Sequence, residues 1–326
     1  MKKLIFVYNP KAGKGKVEEQ RDIITRTFVK NGFDVDIHAT TCKGDAHDFL
    51  TAYLAGVKKC LNQLESQCAD AQGAADAEEK KEMRASIMPA RIVVAGGDGT
   101  LQEVMQAVVE SGLDIPVGIL PTGSTNDFGY SLKLSKDIRK NAEIASSGRG
   151  FKCDVATFNG QYFVYTAAFG LFSEVSYATS QKLKNTLGHF AYLAQGAATL
   201  YKTKKIHAKV MMDSEIIEDD FLLGMVVSAK SVGGFRGITG KGVKLNDGLH
   251  EVMLVRWPKN PIELAKALKE VLTHKRNGKY FKMVSAKNIC FEFDRPIKWS
   301  VDGEYGGKRK AAKIRVEKQR IKYIVP

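Results

Sequence analysis

Ala90-Arg91-Ile92-Val93-Val94-Ala95-Gly96-Gly97-Asp98-Gly99-Thr100 is the stretch that decides the fold class. Its apolar run, halted by a glycine pair, reads as a strand buried on both faces. Leu101, Val104, Met105 and Val108 then recur at helical spacing. A strand that passes through a tight glycine loop into a helix is the repeating unit of a parallel α/β sheet. The loop also has a chemistry of its own. Glycines let the backbone turn sharply and approach a phosphate, and the amides at a helix N-terminus add positive potential. An aspartate there would repel phosphate unless a cation lay between them, so Asp98 points to Mg²⁺. A plain turn with Asp98 capping the next helix explains one glycine and the aspartate, but not three glycines beside a threonine.

The same rhythm extends in both directions. Leu4 to Tyr8 is a short apolar run ended by Asn9-Pro10, and Lys11-Ala12-Gly13-Lys14-Gly15-Lys16 follows it. Val17 to Lys30 shows helical spacing and stops at Gly32, and Asp34 to Ala39 alternates as a second strand. A helix is expected over Asp45 to Val57. Between Lys58 and Met88 the composition shifts to Ala, Glu, Gln and Lys, as in a helical extension or insertion. On the other side, Ile115 to Leu120 is another strand, running into Pro121-Thr122-Gly123-Ser124-Thr125-Asn126-Asp127-Phe128. Open α/β sheets bind ligands outside the carboxyl ends of their strands. Loops after the first strand, after Ala95 and after Leu120 would therefore converge on one nucleotide site. Neither a Walker A loop nor a dinucleotide fingerprint is present, since Glu18 stands where the third glycine of the latter belongs.

Beyond Leu134 the pattern becomes β-rich. Lys152 to Phe158, Tyr162 to Phe169, Ala208 to Met212, Leu222 to Ser228, His250 to Arg256 and Ile289 to Phe293 read as strands of an antiparallel sandwich. Ile314 to Val316 and Ile321 to Val325 could join either part. The expected division is residues 1–134 as an α/β domain, with 309–326 free to return to it, and 135–308 as a β-rich substrate domain. The 326-residue length fits about two domains at roughly 150 residues each. A 44% hydrophobic and 26% charged composition excludes wholesale disorder.

Fifty Lys+Arg against 36 Asp+Glu leave a formal charge of +14, which favours an anionic partner. Five cysteines without CxxC spacing argue against a disulfide framework or a zinc finger and point to a reducing compartment. No apolar run is long enough to span a bilayer, and the N-terminus lacks a signal-peptide core, so a cytoplasmic location is expected. No recognised nucleic-acid-reading motif accompanies the charge.

Two further places carry candidate chemistry. Trp299-Ser300-Val301-Asp302-Gly303-Glu304-Tyr305-Gly306-Gly307 sets two carboxylates around a glycine, where one could take a proton from an attacking hydroxyl. An Asp-Gly hairpin turn with a solvated Glu304 is the competing reading. Lys244-Leu245-Asn246-Asp247-Gly248-Leu249 is, by itself, an ordinary turn.

Taken together, the Gly96–Thr100 loop, the Pro121–Phe128 loop, Asn9-Pro10, Thr40 to Asp45, Cys153-Asp154-Val155, Val175-Ser176-Tyr177, Lys182-Leu183-Lys184, Lys244 to Leu249 and Val301 to Gly307 resemble the diacylglycerol kinase and lipid kinase family, nearest its soluble bacterial members. The GGDGT loop alone is less specific, because NAD kinases and phosphofructokinases carry similar ones. The resemblance implies an N-terminal nucleotide-binding domain of NAD kinase/phosphofructokinase type, a C-terminal antiparallel β-sandwich, and ATP with Mg²⁺ as cofactors. It implies that Asn9, Pro10, Lys11, Ala12, Gly13 and Thr40 line the ATP phosphates. Gly97, Asp98, Gly99, Thr100, Leu101, Gln102 and Glu103 would form the main nucleotide loop, with Ser124 adding a contact. Asp98 would hold the catalytic Mg²⁺ through water. Asp247 and the carbonyls of Lys244 and Leu249 would hold a structural one. Glu304 would be the general base, with Asp302 and Asp154 in an acidic network. Ala12 departs from the commoner hydroxyl-bearing residue of the first loop, which puts one side-chain phosphate contact in doubt.

The activity so implied is phosphorylation of diacylglycerol to phosphatidate at an anionic membrane surface, by a cytoplasmic, peripherally attached enzyme, with a homodimer as an open possibility. Lys308, Arg309, Lys310, Lys313, Arg315, Lys318, Arg320 and Lys322 against Glu317 alone would suit such a surface. Lys182, Lys184 and Arg236 are further candidates. Rival readings are a kinase of another hydroxyl lipid or of NAD, and a non-catalytic sensor.

Overall fold

A computed structural model describes residues 1–67, 74–171, 205–213, 215–240 and 242–326. The segments around Val175 to Tyr177 and Lys182 to Lys184 lie outside the described residues.

The apolar runs become the strands of a parallel sheet. β1 (Lys2–Tyr8) lies between β2 (Phe33–Ala39) and β3 (Arg91–Gly96), with Phe6 opposite Ile37 on one side and Val93 on the other. β4 (Val117–Pro121) continues the sheet beside β3. It starts two residues later than the sequence suggests. Pro116 has no N–H to give to the ladder, although its carbonyl accepts from Ile92 N at 3.0 Å.

Helices cover the sheet. α1 (Lys16–Lys30) buries Val17, Ile24 and Phe28 against Leu4, Phe6, Tyr8, Val93, Ala95 and Leu120. α2 (Asp45–Gln67) runs ten residues past Val57, because Leu61 and Leu64 continue the buried stripe of Leu50, Leu54 and Val57. The Lys58–Met88 stretch is thus partly the end of α2 and partly α3 (Ala74–Ile87). α4 (Asp98–Ser111), α5 (Asp127–Ser131) and α6 (Ile138–Ser147) complete the described α-helices of this part, and a single 3-10 turn, Ala12–Gly15, precedes α1.

The remaining strands pair mostly antiparallel. β5 (Arg149–Phe158), β6 (Gln161–Phe163), β7 (Thr166–Gly170), β8 (Ile206–Met212) and β9 (Glu215–Val227) come first. A short pair follows, β10 (Ser231–Val232) and β11 (Phe235–Arg236). Next are β12 (His250–Arg256), a helix α7 (Pro261–Leu272), β13 (Phe281–Ala286), β14 (Asn288–Val301) and β15 (Glu304–Val325). Tyr162 to Phe169 is therefore two strands rather than one. Between them, Val164 and Tyr165 give their amides to a side chain instead of a neighbouring strand. The β14–β15 register shifts between Glu292 and Ile297, where Pro296 cannot donate to the ladder. Trp299 is fully buried, with Phe158, Phe169 and Phe291 at ring distances of 4.9, 5.0 and 5.2 Å.

The chain divides into two compact units. Unit 1 is Met1–Cys153 with Gln319–Pro326, and its last strand residues pair in parallel with β4 through Tyr323 and Val117. Unit 2 is Asp154–Lys318. Among the described residues no helix is long and apolar enough to cross a membrane.

Candidate functional site

In unit 1 the ends of four strands are laced together by their loops. Asn9 N donates to Ala95 O at 2.9 Å, Thr122 N to Gly96 O at 2.9 Å, and Thr40 N to Tyr8 O at 2.8 Å. The loop after β1 is shaped by Asn9, whose Oδ1 accepts from Lys11 N at 2.9 Å and whose carbonyl accepts from Ala12 N at 3.1 Å. Gly13, at φ +61°, approaches Thr122 so closely that a Cβ would meet its carbonyl at 3.0 Å. The loops after β3 and β4 are closer still. A Cβ on Gly123 would fall 2.6 Å from Gly97 Cα, so only glycine fits there. The structure thus gathers Asn9, Gly13, Thr40, Gly97 and the Ser124 loop at one sheet edge, with Ser124 itself exposed.

α4 begins directly at this edge. Its first helical bond is Leu101 N to Gly97 O at 3.1 Å, so the amides of Asp98, Gly99 and Thr100 precede the helical ladder. Leu101 turns its side chain into the core, where it is 4% exposed, and can face the loop only through its backbone. Glu103 has a different task. Its carboxylate accepts from Gly44 N at 2.8 Å and Ala46 N at 3.2 Å, holding the start of α2. Asp45 knits the same turn by accepting from Thr41 N at 2.6 Å and Thr41 Oγ1 at 2.7 Å, and these bonds hold its carboxyl below the usual range.

Asp98 is the electrostatic centre of unit 1. Burial, followed by the charge of Asp127, pushes its carboxyl above the usual range. Thr125 Oγ1 (3.0 Å) and the amides of Asp127 and Phe128 oppose the shift by donating to it. Asp127 is fully buried. Asp98, half-buried and destabilised as an anion, fits a hard cation held through one carboxylate and completed by water and phosphate, with the buried Asp127 adding negative charge behind it. Asn126 fixes the loop from a left-handed conformation (φ 51°), accepting from Gly123 N at 2.8 Å and donating to Gly123 O at 2.7 Å. The sequence points to Ser124 in this loop, whereas Thr125, Asn126 and Asp127 become visible only through their contacts with Asp98 and Gly123; the one signal for them in the sequence is their place inside the same motif.

Unit 2 holds the remaining candidates. Asp302 and Gly303, at φ 48° and 86°, form a two-residue hairpin turn between β14 and β15. The Asp-Gly hairpin reading is therefore correct, and it presents Glu304 as an exposed side chain just past the turn. Asp302 is buried, and its carboxylate accepts from Val164 N (2.6 Å), Tyr165 N (2.9 Å) and Thr166 N (3.1 Å). Its own amide donates to Thr166 O at 2.8 Å. These bonds fix the hairpin rather than leave its carboxylate open to a reactant.

Asp154 is equally committed, accepting from Gly248 N at 2.6 Å, while its amide donates to Leu245 O at 2.7 Å. It shapes the Lys244–Leu249 loop. There, exposed Asp247 accepts from Leu249 N at 3.1 Å, and the Leu249 carbonyl lies 3.0 Å from His250 Nδ1. One carboxylate and two carbonyls suit a hard cation that keeps part of its water. Among the described residues no group of three or more His, Cys, Asp or Glu side chains is placed to hold a metal. A cation at either location would accordingly depend on carbonyls, water or phosphate as well.

Residues 3–158 match the model of the diacylglycerol kinase catalytic domain. The chain is 29% identical over 330 residues to a diacylglycerol kinase of Staphylococcus carnosus (strain TM300), covering 100% of this chain and 95% of that protein. It is 32% identical over 240 residues to a diacylglycerol kinase of Staphylococcus epidermidis (strain ATCC 35984), covering 72% of this chain and 74% of that one. Two crystal structures from Bacillus anthracis strain Sterne share the fold, with TM-scores of 0.76 and 0.72 at 23% and 20% identity. Each alignment covers 100% of this chain and 97% of the other, and the second structure is of a diacylglycerol kinase.

Proposed function

The chain belongs to the diacylglycerol kinase family, and from that premise we propose that it transfers the γ-phosphoryl group of ATP to the free hydroxyl of diacylglycerol, giving phosphatidate and ADP. The observation that carries this reading is Asp98, partly buried at the start of α4 and next to Asp127, at an edge where three glycine-bearing loops meet. The amides of Asp98, Gly99 and Thr100, which precede the ladder of α4, orient the phosphates, the Asn9–Gly13 loop walls the same edge, and the N-terminal end of α4 favours their charge. Asp98 is the group that would hold Mg²⁺, with the buried charge of Asp127 favouring the cation; when bound, Mg²⁺ supplies neutralisation of the transferring phosphoryl group. Asp247, with the Lys244 and Leu249 carbonyls, would hold a second ion that steadies its loop. Glu103 serves this site indirectly, by holding the turn before α2.

Glu304 acts as general base. It takes the proton of the acceptor hydroxyl as that oxygen attacks the γ-phosphorus, the bond to the β–γ bridging oxygen breaks, and ADP leaves. Asp302 positions it by fixing the hairpin. Unit 2 is read as a sandwich because its long strands change partners. β14 pairs with β8 through Ile289–Phe293 and with β7 through Trp299–Val301. The enzyme works from the cytoplasm as a peripheral membrane protein.

The test is a panel of acceptors with labelled ATP: short-chain diacylglycerol, a sphingoid base and NAD. Label on diacylglycerol in a Mg²⁺-dependent reaction is expected. Label on NAD alone overturns the reading, and label on the sphingoid base alone replaces the acceptor.

A further inference from the structure

We propose that the outward face of α7 in unit 2 is a docking surface for an anionic lipid bilayer. It rests on the lipid-kinase reading in one respect, that the acceptor is drawn from a membrane.

The segment from Trp257 to Lys282 contains seven cations, Lys259, Lys266, Lys269, Lys275, Arg276, Lys279 and Lys282, but only two acids, Glu263 and Glu270. Both acids are spent on the protein itself. Glu263 accepts from Lys259 N at 2.8 Å, next to the cap that Asn260 makes by accepting from Glu263 N at 2.9 Å. Glu270 accepts from Lys279 N, Tyr280 N and Phe281 N at 3.1, 2.7 and 3.0 Å. With Ala267, which is 1% exposed, these glutamates define the side of α7 turned to the protein. Three of the cations have carboxylate partners: Lys275 with Glu270, Arg276 with Glu251 and Lys282 with Glu215.

The opposite side is different in kind. Ile262, Ala265, Lys266, Lys269 and Leu272, at i, i+3, i+4, i+7 and i+10, share one helical face, and all are exposed. Ile262 is 69% and Leu272 60% exposed, among the most open large apolar side chains of the described residues. Among those residues no carboxylate lies within ion-pair distance of Lys266, Lys269 or the neighbouring Lys259. A twelve-residue helix is too short to span a bilayer. A short helix whose exposed face carries an apolar side chain at each end, two unpaired lysines between them and its acids turned away is suited to lie in the interface of an acidic leaflet, the lysine stems lying along the surface and their heads meeting its charge. Charge complementarity selects that occupant over a second copy of the chain, since two such faces would oppose lysine to lysine.

The experiment is co-sedimentation of the full chain with vesicles of phosphatidylcholine alone and of phosphatidylcholine mixed with phosphatidylglycerol. Wild type is expected to bind the mixed vesicles preferentially. Lys266→Gln/Lys269→Gln is expected to weaken that binding about 25-fold, taking roughly fivefold per lysine near an acidic surface. Ile262→Ala/Leu272→Ala is expected to weaken it about tenfold. Both pairs alter only exposed side chains at helix-compatible positions, so an unchanged melting temperature certifies the fold.

Wild-type vesicle affinity in both variants overturns the proposal. So does a dimer in light scattering that Ile262→Ala/Leu272→Ala dissolves while vesicle binding persists. Phosphorylation of short-chain diacylglycerol in monomeric solution separates the two readings. Turnover without vesicle preference refutes the docking surface alone, whereas surface-dependent binding without turnover supports it and refutes the kinase reading.

Discussion

His250 and Glu251 are neighbours on β12, and burial suppresses their charges in opposite directions. The His250 imidazole is fully buried and pulled down to about 4. A carbonyl can only accept, so Nδ1 carries the proton facing Leu249 O, and Nε2 is left without a hydrogen-bond partner. The Glu251 carboxyl is pushed up to about 7 by burial, against the opposing pull of Arg276 at 4.0 Å. For Glu251 the folded value lies above the unfolded one, so its contribution is full below pH 4.5 and is lost as pH rises through about 7. For His250 it lies below, so its contribution is full above pH 6.5 and is lost as pH falls through about 4. The two slopes oppose each other between pH 4.5 and 6.5. Glu251→Gln is therefore expected to be more stable than wild type at pH 8 by about 3 kcal/mol, and equal to it near pH 4.5. Urea unfolding at both pH values, with a chelator present, checks this; the same difference at both would contradict it.

At the scale of elements, the hairpin joining β14 to β15 depends on one buried side chain. Asp302 satisfies three amides at the break between β6 and β7, 136 to 138 residues away in sequence. Asp302→Ala leaves those amides without an acceptor and is expected to lower stability by about 3–5 kcal/mol. Asp302→Asn should lose less, because its amide oxygen still accepts and asparagine tolerates the left-handed backbone. Thermal melts of the two variants test the ranking, and an Asp302→Ala variant that melts with the wild type would contradict it. This element also marks how far sequence reading reaches. The Asp-Gly turn was legible because its chemistry is local, whereas the amides that hold Asp302 lie on a distant segment that read as one continuous strand. The same contrast holds around Asp98. The glycine loop and its helix follow from local pattern, but its contacts with Thr125 and Asp127 belong to another loop and carry no periodic signal. The length of α2 was legible in principle, since Leu61 and Leu64 keep its stripe; the polar residues between them obscured it.

At the scale of the molecule, the candidate groups are divided between the two units. Unit 1 carries Asp98, Asp127 and the glycine loops, and unit 2 carries Glu304 and the Asp247 loop. The net charge of +14 suits both anionic nucleotide and acidic membrane. On the proposed reading, Asp98 and Glu304 serve one phosphoryl transfer. The decisive measurement is single-turnover transfer from ATP to short-chain diacylglycerol in Glu304→Gln, with ATP affinity measured on the same protein. Unchanged ATP binding is expected, with a transfer rate about 10²- to 10⁴-fold lower, the usual loss for a missing general base. Transfer at the wild-type rate would contradict it.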